Sequence, residues 1–274
     1  MDILNRALTI LFAALMLPFR NMHPLAGLTA FSVVTGVLML LVFKWTSNQK
    51  GVAAARGRMQ GRLLEMRLFA ADPVQVLRSA GMLLVDNLAY MRHLAVPMLI
   101  LILPVVLLLV QAAAWYQYRP VRPGESVIVR VFVAEGMSEQ ELNSITLDPG
   151  SAVTLETPPL RIPMENEINW RVNPDNSGRH TLAISAGGET VEKQLVAGKR
   201  LSAVWPERVR SGPGARALNP GEPAIRSAAI QKIIIQYPGR ELRVAGRNVH
   251  WLLIFFILSL ISAYALRGVF KVSV

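Results

Sequence analysis

Two stretches without a single Asp, Glu, Lys or Arg, Met22 to Phe43 and His93 to Tyr118, bracket a basic segment. Each reaches the roughly 20 residues that a helix rising about 1.5 Å per residue needs to cross a hydrocarbon core. The segment between them, Lys44 to Arg92, is too polar to enter lipid and is patterned as two helices joined at Ala71-Asp72-Pro73. The sequence therefore predicts two membrane helices, residues 22–43 and 94–118, carrying a helical arm, residues 44–93, on one side.

A third uncharged run, Asn248 to Leu266, includes Trp251 and is closed by Arg267. It reads as a third crossing, residues 248–267, followed by a short tail, 268–274. The mean hydropathy of +0.37 fits a membrane protein better than a large soluble domain. Lys and Arg outnumber Asp and Glu by 29 to 18, which favours anionic lipid surfaces or nucleic acid as partners. No cysteine is present, so disulfides, thiolate chemistry and cysteine-ligated metal are excluded.

Residues 1–20 are the ambiguous piece. Leu8 to Phe19 is apolar but only about twelve residues long, with Arg6 and Arg20 at its edges, and twelve residues do not span a bilayer. An interfacial helix fits best; a re-entrant segment and a signal sequence are the other readings, the last lacking a small-residue cleavage site.

Along the first crossing, Thr29, Ser32 and Gly36 fall at spacings of three and four, on one face. Small and hydroxylated residues let helices approach closely and hydrogen-bond in lipid. Ordinary helix packing explains them, and so does a weakly polar groove. In the second crossing Gln111 is the one strongly polar side chain, and Pro97 and Pro104 lie seven apart, each removing a backbone hydrogen bond. Thr29, Ser32 and Gln111 are the groove candidates.

The arm's first helix shows an apolar seam of Val52, Met59, Leu63 and Met66; the second shows Leu77, Ala80, Leu84, Leu88 and Met91. Two such seams joined by a short turn predict an antiparallel hairpin. Asp72 suits an N-cap and Pro73 the first helical position. Arg56, Arg58, Arg62, Arg67 and Arg78 then form an outer face, which is either simply solvated or a contact surface for anionic lipid or RNA.

The arm's eight Lys or Arg against Glu65, Asp72 and Asp86 place it in the cytoplasm by the positive-inside rule. The N-terminus is then outside, residues 119–247 are outside, and the C-terminus, with Arg267 and Lys271, is inside.

After Arg119-Pro120 the pattern turns from helical to alternating. Residues 126–133, 152–157, 167–172, 179–185 and 189–196 read as strands between turn signals such as Asn173-Pro174-Asp175 and Gly187-Gly188. Short strands at this spacing suggest an extracytoplasmic β-sandwich of immunoglobulin-like type over residues 119–207, with Trp170 in its core. Arg208 to Pro223 reads as a flexible linker. Ile230 to Tyr237 and Glu241 to Ala245 read as a closing hairpin around Pro238-Gly239, near the membrane.

No catalytic constellation is evident. His23, His93, His180 and His250 are scattered, and there is no phosphate loop, nucleophile elbow or metal-spaced cluster. No enzyme activity, metal or cofactor is expected.

The order of an outer helix (Met1 to Arg20), a crossing, a helical hairpin (Thr46 to Arg92), a crossing and a last crossing resembles the YidC/Oxa family of membrane insertases. The likeness is to its reduced three-span members, the archaeal YidC-like proteins and the related subunit of the ER membrane complex. It covers about half of the chain and lies in architecture, not in a sequence motif. Bacterial YidC proteins carry a groove arginine within the membrane, and no crossing here contains one. Their β domain also precedes the conserved core, whereas this one lies between the second and third spans.

The resemblance implies an insertase or chaperone in a bacterial cytoplasmic (inner) membrane. Its implied partners are membrane lipids, nascent or client membrane proteins, and a ribosome or another membrane-complex subunit, and not DNA. The alternative is a non-catalytic envelope subunit whose outer β domain binds a protein or glycan.

Overall fold

The computed structural model describes residues 2–210, 212 and 219–270. The central part of the expected linker and the expected cytosolic Lys271 lie outside the described residues. Two helices, α2 (Pro24–Thr46) and α4 (Pro73–Tyr116), are long and apolar enough to cross a membrane. The β strands form a separate sheet-rich region. The chain divides into two compact units, Met1–Gly27 with Leu107–Trp251, and Leu28–Val106 with Leu252–Val274.

In the second of these units, α2 packs with α6 (Trp251–Leu266) through small residues. A methyl group added at Gly36 would run into the Ser262 hydroxyl and the Ser259 carbonyl, so the two backbones approach as closely as they do only because Gly36 has no side chain. Phe31 and Phe255 stack beside this contact with centroids 5.4 Å apart. After α2 the chain re-enters helix as α3 (Gln49–Leu68), capped by the Asn48 side chain on Gly51 N–H at 3.0 Å. A short turn follows. Asp72 Oδ1 then accepts from Val74 and Gln75 N–H at 3.0 and 3.2 Å, and Pro73 occupies the first position of α4, where its missing N–H is no loss. The second arm helix and the second apolar run are one continuous helix, which runs through Pro97 and Pro104 without a break.

In the other unit, α1 (Asp2–Met16) lies along the final turns of α4. Gln111 Nε2 donates to Thr9 Oγ1 at 3.0 Å and the Tyr116 hydroxyl to Met16 Sδ at 3.3 Å, two contacts that follow each other in the same chain direction. Beyond α4 come two antiparallel sheets. The larger orders its strands β3-β5-β1-β9-β8, with β4 also on β5; the smaller is β2-β6-β7. These are β1 (Val127–Val133), β2 (Thr146–Asp148), β3 (Val153–Leu155), β4 (Leu160–Ile162), β5 (Glu167–Pro174), β6 (Gly178–Ala186), β7 (Glu189–Ala197), β8 (Glu207–Val209) and β9 (Ile230–Ile235), with a short helix, α5 (Glu139–Ser144), between β1 and β2.

Alternate residues of both sheets enter one core. Val127, Val129, Val131 and Val133 of β1 meet Trp170, Leu182, Ile184, Leu195 and Ile233 there, the period of two that a strand imposes on its side chains. On the other face of β1, Arg130 grips Glu167 through Nε and Nη2 at 2.7 and 2.6 Å. Tyr237 ties the sheets together: its hydroxyl accepts from Val196 N–H at 2.9 Å and donates to the Gln194 carbonyl at 3.3 Å.

Two expectations are corrected. Ile230 to Tyr237 does not pair with Glu241 to Ala245; β9 joins the large sheet between β1 and β8. Its alternation, with Ile230, Ile233 and Ile235 buried, is worth more in the core than in an isolated ribbon. The hairpin is instead β10 (Leu242–Val244) with β11 (Arg247–Val249), turned by Ala245 and Gly246, both at positive φ as a tight two-residue turn requires. The start of the expected linker is also structured, since Glu207–Val209 is strand β8 on β9.

One buried ion pair closes this region. Lys193 on β7 is 0% exposed and donates to the Trp205 carbonyl and to Glu222 Oε1, each at 2.7 Å. Burial pushes the Lys193 ammonium down and the Glu222 carboxyl up, the signature of charges held out of water. Removing one member of such a pair strands the other. Lys193→Met should therefore destabilise the protein by about 3–5 kcal/mol, and adding Glu222→Leu should recover much of that loss. Urea unfolding followed by tryptophan fluorescence measures both; a single change costing as little as the double would show the pair to be dispensable.

Candidate functional site

The arm decides which of its faces is open. Helix α4 carries two apolar stripes offset by one residue. The stripe turned towards α3 is Val76, Ser79, Leu83, Asp86, Tyr90 and His93, spaced three and four, all of them buried or partly buried. On α3 the matching positions are Val52, Ala55, Met59, Arg62 and Met66. Together they form an antiparallel pair with coiled-coil spacing.

Polar contacts fix its register. Arg58 Nε lies 2.7 Å from Asp86 Oδ1, Arg62 Nε 3.7 Å from Asp86 Oδ2, and Arg62 Nη1 3.0 Å from Glu65 Oε2. The buried Ser79 hydroxyl donates to Glu65 Oε2 at 3.0 Å. The guanidinium beside Glu65 holds that carboxyl below the usual range.

The consequence corrects the expected seam. Leu77, Leu84, Leu88 and Met91 do not face α3; they are 76%, 73%, 69% and 60% exposed, and Leu63 of the first helix is exposed as well. The stripe that carries Asp86 and Ser79 has partners waiting in Arg58, Arg62 and Glu65, and a hairpin can seat only one stripe. A row of large apolar side chains is left uncovered along α4, joined at its far end by Leu64, Leu68, Phe69 and Val74.

At the base of the arm this row opens into a cleft of about 900 Å³. Thr46 and Asn48, where α2 gives way to α3, form one wall, and Val85, Leu88, Met91 and Val96 of α4 the other. Arg92 and His93 are the charged and titratable groups at its edge. The cleft has the size of a ligand-binding pocket and is mainly apolar, so its chemistry is the removal of apolar surface from water. Among the described residues no group of three or more His, Cys, Asp or Glu is placed to hold a metal ion.

The sequence-predicted groove residues have separate fates. Ser32 is buried and its hydroxyl donates to the Leu28 carbonyl at 2.7 Å, a bond within its own helix. Thr29 is exposed, outside the buried stripe of Leu28, Phe31, Ser32, Thr35, Gly36 and Leu40. Gln111 is buried, spends its amide N–H on Thr9, and keeps Oε1 without a partner among the described residues. None of the three lines the cleft.

The basic face is likewise divided. Arg58 and Arg62 are held in ion pairs within the hairpin. Arg67 and Arg78 are exposed near its tip, and Arg56 is exposed midway along α3.

No protein-family model, curated protein or solved structure matches the chain.

The sequence assigns the leucine stripe to the seam because both stripes satisfy the same three-and-four spacing. The signal that separates them is the placing of Ser79 and Asp86, which a solvated face would not need at heptad positions. Single cysteines test the assignment in this cysteine-free chain. Leu84→Cys and Leu88→Cys should react rapidly with a water-soluble maleimide, and Ala55→Cys and Ser79→Cys much more slowly. Equal rates at Ser79 and Leu84 would overturn the assignment of the two faces.

Proposed function

We propose that the protein is a membrane insertase or chaperone of the YidC/Oxa type that receives apolar segments of client membrane proteins on its arm. The uncovered leucine row and the cleft at its base carry this reading. Each large aliphatic side chain left in water forgoes about 1.5–3 kcal/mol of burial, and a row of them is an attachment surface for another apolar helix. A client segment leaving the ribosome has the same surplus of apolar surface, and the cleft is where both surpluses are removed together.

In this reading α2, α4 and α6 are three crossings. The arm and the C-terminus are in the cytoplasm, and the two sheets form an immunoglobulin-like sandwich outside a bacterial inner membrane. Helix α6, at sixteen residues, is short for a crossing and relies on thinning of the bilayer or on flanking residues at the interface. Arg67, Arg78 and Arg56 offer contacts to ribosomal RNA or anionic lipid.

The alternative, an envelope subunit that binds a protein or glycan outside, is favoured by a second cavity of about 410 Å³ beside Trp170, walled by Leu155, Pro158, Pro159 and Arg161.

Topology is tested first. Leu84→Cys should label from the cytoplasmic side and Ser177→Cys, which is exposed, from the opposite side; labelling of both from one side would overturn the scheme. Client binding is tested with a photocrosslinker at Leu88. It should capture nascent membrane proteins only during their translation, and Leu84→Asp with Leu77→Asp should cut that capture about ten-fold, since a charge pressed against apolar surface costs more than 1.4 kcal/mol. Capture of lipid alone, or of one fixed partner whatever is being translated, would leave the β domain as the functional part.

A further inference from the structure

Where the chain leaves α4 it is stitched to two other segments. Arg119 N–H donates to the Pro238 carbonyl and Arg240 N–H to the Gln117 carbonyl, each at 3.0 Å, and Val121 pairs with the end of β7 through Val196 and Gly198. These three segments enclose a cavity of about 390 Å³ lined by Arg119, Pro120, Arg122, Gly198, Lys199 and Arg240. Four of the six are cations, contributed by three separate stretches of chain.

Among the described residues, only one of these charges is shown paired with a carboxylate. Arg119 is bound through both terminal nitrogens to Glu125, at 2.7 Å each, and Glu125 also accepts from Arg122 N–H at 2.9 Å. That arrangement holds the Glu125 carboxyl down at about 2. Arg240 is in the opposite condition. Its Nε and Nη2 are shielded from water and have no partner among the described residues. That edge is closed to solvent, so what Arg240 brings to the cavity wall is an uncompensated positive charge. Burial pushes the Arg240 guanidinium down to about 10, as befits a charge lacking compensation. The exposed Arg122 and Lys199 stand at the mouth.

We propose that this cavity binds a phosphate-type oxyanion, with the half-buried Arg240 as its inner cation and Arg122 and Lys199 closing over it. A carboxylate offers two oxygens in a plane, whereas cations converging from three segments suit a tetrahedral group with acceptors in several directions. The volume admits a small phosphoester. Two sources share this chemistry, the headgroup of an anionic lipid and a soluble phosphoester. The lipid source rests on the membrane reading proposed above: the cavity follows directly on Trp115, Tyr116 and Tyr118, the aromatic residues that mark an interface, where lipid phosphates lie.

The test uses the full chain in a non-ionic detergent, with native mass spectrometry and fluorescence titration. The probes are short-chain phosphatidylglycerol, short-chain phosphatidylcholine, glycerol phosphate and inorganic phosphate. Saturable binding of phosphatidylglycerol well above that of the soluble phosphates assigns a lipid headgroup; equal binding of glycerol phosphate assigns a soluble ligand. Either supports the site, provided that Arg240→Gln weakens binding about ten-fold or more, as loss of a charged contact should. Arg122→Gln and Lys199→Gln, at exposed positions that fold without them, should each weaken it to a lesser degree, which keeps the test decisive if Arg240→Gln fails to fold. No phosphate probe binding at millimolar concentration, or affinity unchanged in all three variants, overturns the site. Crosslinking at Leu88 is read independently, so failure here leaves the client-binding reading standing, and the reverse.

Discussion

A single carboxylate governs what the arm can do. Asp86 sits on the face of α4 that meets α3, where it draws in Arg58 and Arg62, and Ser79 performs the same office towards Glu65. The energy in these half-exposed pairs is modest, on the order of 1 kcal/mol or less each. Their effect is on choice, not on strength. Two stripes of α4 could pack against α3, and polar partners select the poorer hydrophobic one. An apolar heptad would have buried the leucines; the polar register holds the hairpin together and keeps the leucine row outward. Buried or half-buried polar residues fixing register at a cost in stability are the best-attested use of such groups.

The sheet-rich region solves a different problem. Its core is built by simple alternation in β1, β5, β7 and β9, and the valines of β1 alone supply four inward positions. What alternation cannot supply is closure of the edges and corners. There the chain uses specific polar contacts: the Tyr237 hydroxyl between the sheets, the Arg130–Glu167 fork, and Lys193 with Glu222 beneath the segment around Trp205. The last is the costliest, because both charges are desolvated. It ties the segment around Trp205, whose Leu201 and Val204 are buried, to the Pro- and Gly-rich stretch that ends near Pro223.

These two regions differ in how far they can be read from residues. The long helices, the turn at Asp72-Pro73 and the strands of the alternating stretch follow from periodicities and caps that act over one or two turns. The misplacements arose where two local patterns were equally good. Leu77, Leu84 and Leu88 and the neighbouring stripe of Ser79, Leu83 and Asp86 both have helical spacing, and only tertiary partners decide between them. Ile230 to Ile235 alternates equally well as half of a hairpin or as an inner strand, and pairing with a strand about a hundred residues earlier has no local signal. The cationic cavity was illegible for the same reason. Arg119, Lys199 and Arg240 are remote in sequence, and each alone is an ordinary surface charge.

The position of the open apolar surface also bears on how such a protein could work without a charged groove. A polar path through lipid lowers the cost of moving a hydrophilic stretch, at the expense of polar groups that must themselves be satisfied when no client is present. Ser32 and Gln111 are engaged by Leu28 and Thr9, so their hydrogen bonds stabilise helix packing in the resting protein and would have to be exchanged before they could serve a client. The arm's leucine row requires no such exchange: it is already exposed, and the cleft beside Asn48 already has volume. Under the proposed insertase reading, a protein so arranged would act chiefly on the apolar part of a client, shielding it from water until lipid replaced the arm. Polar flanks would then cross with help from elsewhere or not at all. On that proposal, clients with short translocated ends and strongly apolar segments would be the class this arrangement suits, because for them the hydrophobic term alone exceeds the cost of the crossing.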